Sequence, residues 1–241
     1  MQIIPSKLLN NYSSITQGFT TKKNGNFAFH VGDDKYNVLL NHVRLASNLN
    51  YTHKSLVYMQ QIHSNIVKIV EEEDIFSTPS SCDALITDIR NKPLMVMVAD
   101  CSPILFYDPI RSVIAVAHAG RAGTFSNIVT NVIQSFTEKF NSNTHDIVVS
   151  IGASIHSCCY EVGKEIYEEV KDLNIEYGIE KKSNNYYLDI QSIIQKQLVE
   201  AGILETNMEF SNECSCCNTE KYYSYRAENR TGRFTGIIFL N

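Results

Sequence analysis

Two hydrophobic patterns alternate along the chain. Short apolar runs rich in β-branched residues predict buried strands. They fall at residues 55–59, 66–70, 94–99, 104–107, 113–117 and 147–151. Apolar residues at helical spacing predict helices at residues 126–140, 164–173 and 189–201, and Asp189 is placed to cap the last of these. The protein is therefore expected to contain both sheets and helices.

The connections between the predicted strands indicate how the sheets are built. The strands at residues 94–99, 104–107 and 113–117 follow one another too closely for a crossover helix, so part of the sheet must be antiparallel or kinked. This disfavours a doubly wound parallel sheet. The sequence predicts an α+β class, as a mixed α/β sandwich of layered mixed sheets flanked by helices. Since no linker or repeat interrupts it, residues 1–241 are expected to form one domain.

Composition and charge narrow the classes of function. The chain has 241 residues, of which 44% are hydrophobic and 20% are charged, as in ordinary globular proteins. A net charge of -5 without a Lys/Arg-rich block argues against nucleic acid or an anionic membrane as a partner. The N-terminal segment does not read as a signal peptide, and no apolar run reaches the roughly 20 residues of a membrane span. A cytoplasmic location is expected.

Each of His63, Cys101 and His118 lies next to the end of a predicted strand. In layered α/β folds, ligands gather at strand ends because the loops there converge. Two imidazoles and one thiolate suit Zn²⁺, and three protein ligands leave the fourth tetrahedral position open for water or substrate. The separations between the three residues match no compact zinc motif, so spacing alone leaves ordinary core or loop roles open.

The segments around these residues resemble a known family. The main matching segments are Gln61-Ile62-His63-Ser64, Asp83-Ala84-Leu85-Ile86-Thr87-Asp88, Ala99-Asp100-Cys101-Ser102-Pro103, Ala117-His118-Ala119-Gly120 and Tyr223-Ser224-Tyr225-Arg226. Further matches lie at residues 18–21, 32–34, 151–155, 159–163 and 231–233. This ordered series resembles the YfiH/laccase-domain family. Its members were formerly described as polyphenol oxidoreductases with a multicopper laccase domain, and later as purine nucleoside phosphorylases with adenosine deaminase activity.

The resemblance implies a YfiH-like fold and a catalytic zinc ion held by His63, Cys101 and His118. It also implies phosphorolysis of adenosine, inosine, guanosine or methylthioadenosine, so the partners are purine nucleosides and phosphate. Arg226, whose motif is intact, and Lys22 are the candidate substrate-binding residues. The resemblance leaves the preferred nucleoside, the proton donor to the leaving purine and the oligomeric state open.

Two departures from the family pattern affect residues that would bind anions. The family's Trp-Arg-Gly after His-Ala-Gly is here Arg121-Ala122-Gly123, which places the guanidinium one position early. The family's Thr-Thr-Arg ends here in Lys22, which keeps the charge but lacks the planar fork that suits phosphate. We therefore expect deamination to be less affected than phosphorolysis.

Three other functions stay open at this stage. A copper-dependent polyphenol oxidoreductase fits a His₂Cys donor set. However, multicopper laccases use H-x-H pairs, and none of the seven histidines are two residues apart. A cysteine hydrolase would use Cys101 as the nucleophile and His63 or His118 as the base. In the third interpretation the protein is not an enzyme, and the metal only stabilises a binding module.

For other cysteines, the sequence gives weaker evidence of a metal-binding or redox role. Cys214-Ser215-Cys216-Cys217 contains a C-x-x-C pair, which suits a second metal or a redox role. No second C-x-x-C accompanies it, so a structural or incidental role is expected. The adjacent Cys158 and Cys159 are expected to pack near a loop.

Several polar residues near the candidate metal ligands can be interpreted in two ways each. Asp100 is expected either to orient a ligating histidine or to cap its turn. Arg226 either faces the pocket or pairs with Glu228 at the surface. The tyrosines either stack on a purine or pack in a half-buried strand; these are Tyr222, Tyr223 and Tyr225.

Overall fold

Strands and helices alternate along residues 3–241, which are the residues that the computed structural model describes. Within them lie fourteen strands and six α-helices. In chain order these are β1 Ile15–Phe19, α1 Lys35–Leu49, β2 Val57–Gln60, β3 Val67–Ile69, β4 Ser80–Ser81, β5 Ala84–Thr87, β6 Leu94–Val98, β7 Ser102–Asp108, β8 Val113–Ala119, α2 Arg121–Phe125, α3 Ile128–Phe140, β9 Val148–Ile151, β10 Glu161–Val162, α4 Lys164–Asp172, β11 Ile179–Lys182, β12 Asn185–Leu188, α5 Ile190–Glu200, β13 Met208–Phe210, α6 Tyr225–Glu228 and β14 Phe234–Leu240.

The strands form two large mixed sheets and one small sheet. The five-stranded sheet has the order β1-β14-β6-β2-β4, and the six-stranded sheet has the order β13-β9-β7-β8-β5-β3. The small sheet consists of β10, β12 and β11. In the five-stranded sheet β2 runs parallel to β6, whereas β7 and β8 of the other sheet are antiparallel. The expected mixture of parallel and antiparallel pairing is confirmed.

The long apolar runs arise because the central strands are buried on both faces. In β7, Leu105 packs among side chains between the two large sheets, whereas Phe106 packs against the helical side. In β6, Val96 points between the sheets and Met97 points the other way. Full burial of such a side chain contributes about 1.5–3 kcal/mol to folding. Neither face of these strands carries the alternating polar residues of a solvated sheet.

Helices cover the outer face of each large sheet. The apolar faces of α3 and α5 pack on the six-stranded sheet, and Asp189 caps α5 by accepting a hydrogen bond from the Ser192 amide. Leu45 of α1 packs on the other sheet against Met95 and Ile237. The layers therefore run helix, sheet, sheet, helix, which confirms the predicted layered α/β sandwich.

All six predicted strands and all three predicted helices are present, with ends shifted by up to two residues. Helix α1, strands β1 and β14, and the small sheet were not predicted. No helix within residues 3–241 combines the length and the apolar character that crossing a bilayer requires.

Candidate metal centre and cavity

Two chain segments that cross between the large sheets bring the candidate ligands to one edge. The chain leaves β2 in the five-stranded sheet and enters β3 in the six-stranded sheet through a segment that contains His63. It crosses the same way from β6 to β7 through Cys101. Because β2 and β6 are parallel, both crossings leave from the same edge. His63 and Asp100 have φ values of 60° and 87°, in the left-handed region, where the chain turns at each crossing.

Antiparallel pairing brings the third residue to this edge. The start of β7 pairs with the end of β8, so that Pro103 lies opposite His118. One donor atom from each of His63, Cys101 and His118 lies within 4.8 Å of the other two. The imidazole rings are 4.9 Å apart at an angle of 78°. His118 is buried, Cys101 is half-buried and His63 is exposed, so the cluster opens towards solvent on the His63 side.

The buried carboxylate of Asp83, just before β5, organises this cluster. It accepts hydrogen bonds from the amides of Ile62, His63 and Ser64 at 3.2, 3.1 and 2.6 Å, and from the Ser64 hydroxyl at 2.7 Å. Its Oδ1 also lies 2.8 Å from Nδ1 of His118. An ionised carboxylate only accepts hydrogen bonds, so Nδ1 carries the proton and Nε2 is left to bind a metal.

These contacts stabilise the charged form of Asp83. Burial alone would raise the pKa of this carboxyl group, but the hydrogen bonds from His118 and Ser64 outweigh burial and lower the pKa to about 2. The carboxylate is therefore ionised at neutral pH. A permanent negative charge behind a ligating imidazole makes that ligand more basic.

The residues around Cys101 favour its thiolate form. Burial would raise the pKa of Cys101, but the neighbouring His118 and His63 lower it below its usual value. Burial would lower the pKa of His118, but Cys101 and Asp83 raise it. The thiolate is the form that binds metals, and it is also the nucleophilic form. This geometry alone suits both a metal centre and a cysteine–histidine pair.

Gly120 leaves space for the donor atoms. A Cβ atom at this position would lie 3.0 Å from the Cys101 sulfur and 3.2 Å from the His63 ring. Any larger residue would push into the space between the ligands. The absence of a side chain here, the His₂Cys donor set and the Asp83–His118 hydrogen bond all fit a bound metal ion.

A cavity of about 920 Å³ opens beside the candidate ligands His63, Cys101 and His118, and all three lie in its wall. This volume is at the upper end of the range for small-molecule sites. Aromatic side chains line much of it; they are Phe29, Tyr58, Tyr160 and Tyr225. Of Tyr222, Tyr223 and Tyr225, only Tyr225 lines the cavity. Tyr222 is buried elsewhere, and its hydroxyl donates to Glu213.

The wall of the cavity is cationic, although the whole chain has a net charge of -5. Four Lys or Arg residues line it, namely Lys35, Arg121, Arg226 and Arg233. Asp100 is the single carboxylate among the described lining residues, and it accepts from the Ser215 hydroxyl and from the Arg226 amide. Such a cavity favours an anionic ligand.

Arg226 lies in the cavity wall. Its Nη1 donates to the carbonyl oxygen of Glu161 at 2.8 Å, and its guanidinium lies 5.2 Å from the ring centre of Tyr160. The alternative partner, Glu228, instead accepts from Lys22. Arg226 therefore keeps donors that are not neutralised by a carboxylate.

Lys22 does not line the cavity. Its ammonium group lies 2.5 Å from Glu228 and also donates to the Thr219 carbonyl oxygen. The expectation that Lys22 contacts the substrate gains no support from this position. A charged side chain was predicted here from its place in a motif, and the motif does not specify which way the side chain points.

The role considered for Asp100 belongs to a different residue. Asp100 does not hold a ligating histidine; it joins its turn to Ser215 and Arg226. Asp83 is the carboxylate that orients His118. Asp83 was visible in the sequence only as part of a matching segment. Arg233 likewise belonged to a matching segment but was not predicted to line the cavity, and Lys35 had no sequence signal at all.

Replacing Asp83 tests how the cluster is held. In Asp83→Asn the side chain loses its charge, and its amide nitrogen cannot accept from the donors at residues 62–64. We expect affinity for Zn²⁺ to fall about 10- to 100-fold, as when partners of ligating histidines are removed elsewhere. Competition with a chromophoric chelator measures this. The control is Asp88→Asn, an exposed position beyond the other end of β5. Equal affinity in the two folded variants would contradict the role of Asp83.

The chain is similar in sequence to one protein family and to several of its relatives. The sequence profile described as multi-copper polyphenol oxidoreductase laccase matches residues 14–241. Purine nucleoside phosphorylase YlmD of Bacillus subtilis is 30% identical over 95% of this chain and 89% of its own length. A purine nucleoside phosphorylase of Corynebacterium glutamicum is 33% identical over 92% of this chain and 93% of its own length.

Solved structures share the fold. The hypothetical protein YfiH of Bacillus licheniformis superposes with a TM-score of 0.91, at 30% identity over 97% of this chain and 94% of its own. YlmD from Geobacillus stearothermophilus gives 0.90 at 27% identity, over 95% of this chain and 93% of its own. The chain therefore belongs to the multi-copper polyphenol oxidoreductase laccase family, the resemblance seen in its sequence motifs, and it has the fold of YfiH and YlmD.

Proposed function

We propose that this protein is a zinc-dependent purine nucleoside phosphorylase that also deaminates adenosine. The observation that carries the proposal is a three-ligand His₂Cys cluster in the wall of a large cavity lined with cations and aromatic rings. The names of the relatives support the same reaction. The substrates proposed are adenosine, inosine, guanosine or methylthioadenosine, together with phosphate.

His63, Cys101 and His118 would hold the zinc ion, because their donor set and spacing fit it. When bound, zinc supplies Lewis acidity and lowers the pKa of coordinated water. Asp83 keeps the proton on Nδ1 of His118 and fixes the ring, so that Nε2 points into the cluster. The Asp83 contacts to residues 62–64 hold His63 in its turn.

The phosphate would bind where the guanidinium groups of Arg226 and Arg233 line the cavity. Within residues 3–241, the guanidinium nitrogens donate only to backbone carbonyl oxygens, those of Cys159 and Glu161 for Arg226 and those of Thr231 and Gly232 for Arg233. Charge-assisted bonds to phosphate are about twice as strong as neutral ones and can be bidentate. Both arginines therefore offer charge that a phosphate can neutralise. Arg121 is less suited, since it pairs with Glu169 at 2.7 Å.

The aromatic part of the wall would bind the purine. A flat ring stacks on aromatic side chains through dispersion and quadrupole interactions, and Tyr160 and Tyr225 lie beside Arg226 in the cavity. In phosphorolysis the bond from the ribose C1′ to the purine N9 breaks and a C1′–O bond to phosphate forms. The base takes up the proton that the phosphate gives up, and the products are free purine and ribose 1-phosphate, or its 5-methylthio derivative from methylthioadenosine.

Deamination would use the same cavity. Water replaces the amino group on C6 of adenosine, which releases ammonia and gives inosine. This reaction needs no phosphate and therefore does not depend on the arginines in the same way. It follows that the two activities respond differently to changes in the cationic wall.

A cysteine hydrolase is the second candidate, and the position of the Cys101 sulfur within 4.8 Å of imidazole nitrogens favours it. The pKa of Cys101 is lowered and that of His118 is raised, as in a thiolate–imidazolium nucleophile pair. A hydrolase of this kind would work without metal and would not consume phosphate. A copper phenol oxidase is less favoured, because the chain lacks the H-x-H pairs of multicopper centres.

The variant Cys101→Ser tests the proposal. The wild-type protein should release free base and ribose 1-phosphate from inosine or adenosine only when phosphate is present, and a strong chelator should abolish the reaction. Cys101→Ser should lose one zinc per chain and nearly all turnover, because a hydroxyl is a poor zinc ligand. Metal analysis and chromatography of products measure both. Cys216→Ser, which lies outside the His₂Cys cluster, is the control.

Activity that persists after zinc is removed, and that releases base without phosphate, would favour the hydrolase. Oxidation of phenols by copper-loaded protein, without any nucleoside cleavage, would favour the oxidase. Either result would overturn the proposal.

The variant Arg226→Lys tests the phosphate site. Lys is a point donor and cannot reproduce bidentate bonds to phosphate. We expect kcat/KM for phosphate to fall about 10-fold or more, equal to roughly 1.4 kcal/mol of lost stabilisation. Zinc content should not change, and deamination of adenosine should fall less. Arg230→Lys is the matched control, since Arg230 donates to the Val31 carbonyl oxygen outside this cavity. Wild-type phosphorolysis in folded, zinc-loaded Arg226→Lys would remove Arg226 from the site.

A further inference from the structure

A second cluster of metal-type side chains lies outside the His₂Cys cluster. The sulfur atoms of Cys158, Cys159, Cys214 and Cys217 all lie within 4.8 Å of one another. We call these four residues the Cys₄ cluster. The Cys217 sulfur is 3.3 Å from that of Cys159 and 3.6 Å from that of Cys158, and the sulfurs of Cys158 and Cys159 are 3.8 Å apart. Four thiols therefore converge on one point.

These separations fit a single tetrahedral ion. A Zn–S bond is about 2.3 Å long, which places the sulfurs of a regular tetrahedron about 3.8 Å apart. The three sulfur–sulfur separations given above lie between 3.3 and 3.8 Å, so small shifts would place a zinc ion at the centre. An iron–sulfur cluster, in which the cysteines bind different irons, needs a wider arrangement. Four thiolates without histidine or carboxylate are the donor set of closed, structural zinc sites.

The fold brings the two cysteine pairs together through parallel strands. Strands β9 and β13 run parallel and end with Ile151 beside Phe210. The segments that follow them therefore start at the same edge, and Ser154 forms a β-bridge with Cys214. The Ser215 amide donates to the Ser154 carbonyl oxygen at 2.9 Å. This pairing sets Cys158 and Cys159 against the C-x-x-C pair, although 54 residues separate the pairs in sequence (214 − 159 − 1).

One backbone contact has the form expected around a thiolate. The amide of His156 points at the Cys214 sulfur, with the nitrogen 3.5 Å away. Amide donors to sulfur are part of the surroundings that orient and stabilise metal ligands. The Asn218 side chain holds the Cys214 carbonyl oxygen at 2.8 Å, which fixes the turn between Cys214 and Cys217.

We propose that the Cys₄ cluster binds one structural Zn²⁺ that joins the segment after β9 to the segment after β13. This site is distinct from the His₂Cys cluster and does not depend on the function proposed for it. The segment after β9 contributes to the cavity wall, and the segment after β13 contacts a residue of that wall. Tyr160 follows Cys159 directly, and Ser215 of the second segment donates to Asp100. The zinc ion would hold Tyr160 and Arg226 in place, since Arg226 donates to backbone of the first segment.

The experiment uses the full chain with Cys101→Ser, so that the His₂Cys cluster is impaired in every sample. Protein is reduced, loaded with ZnCl₂ and freed of excess metal, and zinc per chain is measured. Cys101→Ser should hold about one zinc, and Cys101→Ser/Cys217→Ser should hold one zinc fewer. The matched control, Cys101→Ser/Cys216→Ser, changes a neighbouring cysteine outside the Cys₄ cluster and should keep its zinc. The readout is a difference between variants, so it stands even if the first centre binds no zinc.

A second measurement needs no further substitution. Co²⁺ in four thiolates gives intense sulfur-to-metal charge-transfer bands and the strong visible bands of a tetrahedral ion. Reduced Cys101→Ser loaded with one equivalent of Co²⁺ should show both. A weak, octahedral-type spectrum would overturn the proposal even if Cys217→Ser failed to fold. Equal zinc content in Cys101→Ser and Cys101→Ser/Cys217→Ser would overturn it as well.

Discussion

The carboxylate of Asp83 is the constraint on which the His₂Cys cluster depends. It is fully buried, and an isolated buried charge is very costly. Here it is stabilised by donors from the 62–64 turn and by the ring of His118. The same group therefore positions one ligand through its backbone and another through its imidazole. With these hydrogen bonds in place, two of the three candidate ligands, His63 and His118, have little freedom to move.

The sheets supply the other half of the arrangement. Parallel β2 and β6 end at one edge, and antiparallel β7 and β8 place Cys101 near His118 at that edge. The core between the sheets holds these strands rigidly, so the crossing segments can adopt left-handed turns at His63 and Asp100. The stability of the core thus offsets the backbone strain at the cluster. The candidate site therefore lies where the chain passes from one large sheet to the other.

The sequence predicted the strands around the site because both faces of β6, β7 and β8 are apolar. It did not predict α1, whose buried stripe contains His42, while Leu39 and Val43 are exposed. That mixture weakens the helical pattern. Strand β14 was missed because Gly236 interrupts its apolar run, at a point where a Cβ atom would lie 3.1 Å from the Phe19 ring.

The three ligands could be selected from the sequence as residues at strand ends, but only the family resemblance joined them into one site. The role of Asp83 depends on the fold, because its donors lie about 20 residues away in a turn that packs against it. The local sequence also does not determine which way a charged surface side chain points. Lys22 and Arg226 both matched basic positions, yet Lys22 binds Glu228 and Arg226 lines the cavity. The sequence did not predict the Cys₄ cluster, because its two cysteine pairs come together only through the pairing of β9 with β13.

We propose that Asp83 orients His118 so that its Nε2 atom binds zinc together with His63 and Cys101. Anomalous diffraction at the zinc absorption edge, from crystals of the zinc-loaded protein, tests it most directly. We expect an anomalous peak about 2.0–2.1 Å from His118 Nε2 and about 2.3 Å from the Cys101 sulfur. Nδ1 of His118 should still donate to Asp83 in that structure. A zinc peak bonded to Nδ1, or no peak among these three residues in fully loaded crystals, would show that Asp83 does not direct His118 towards a zinc ion in this way.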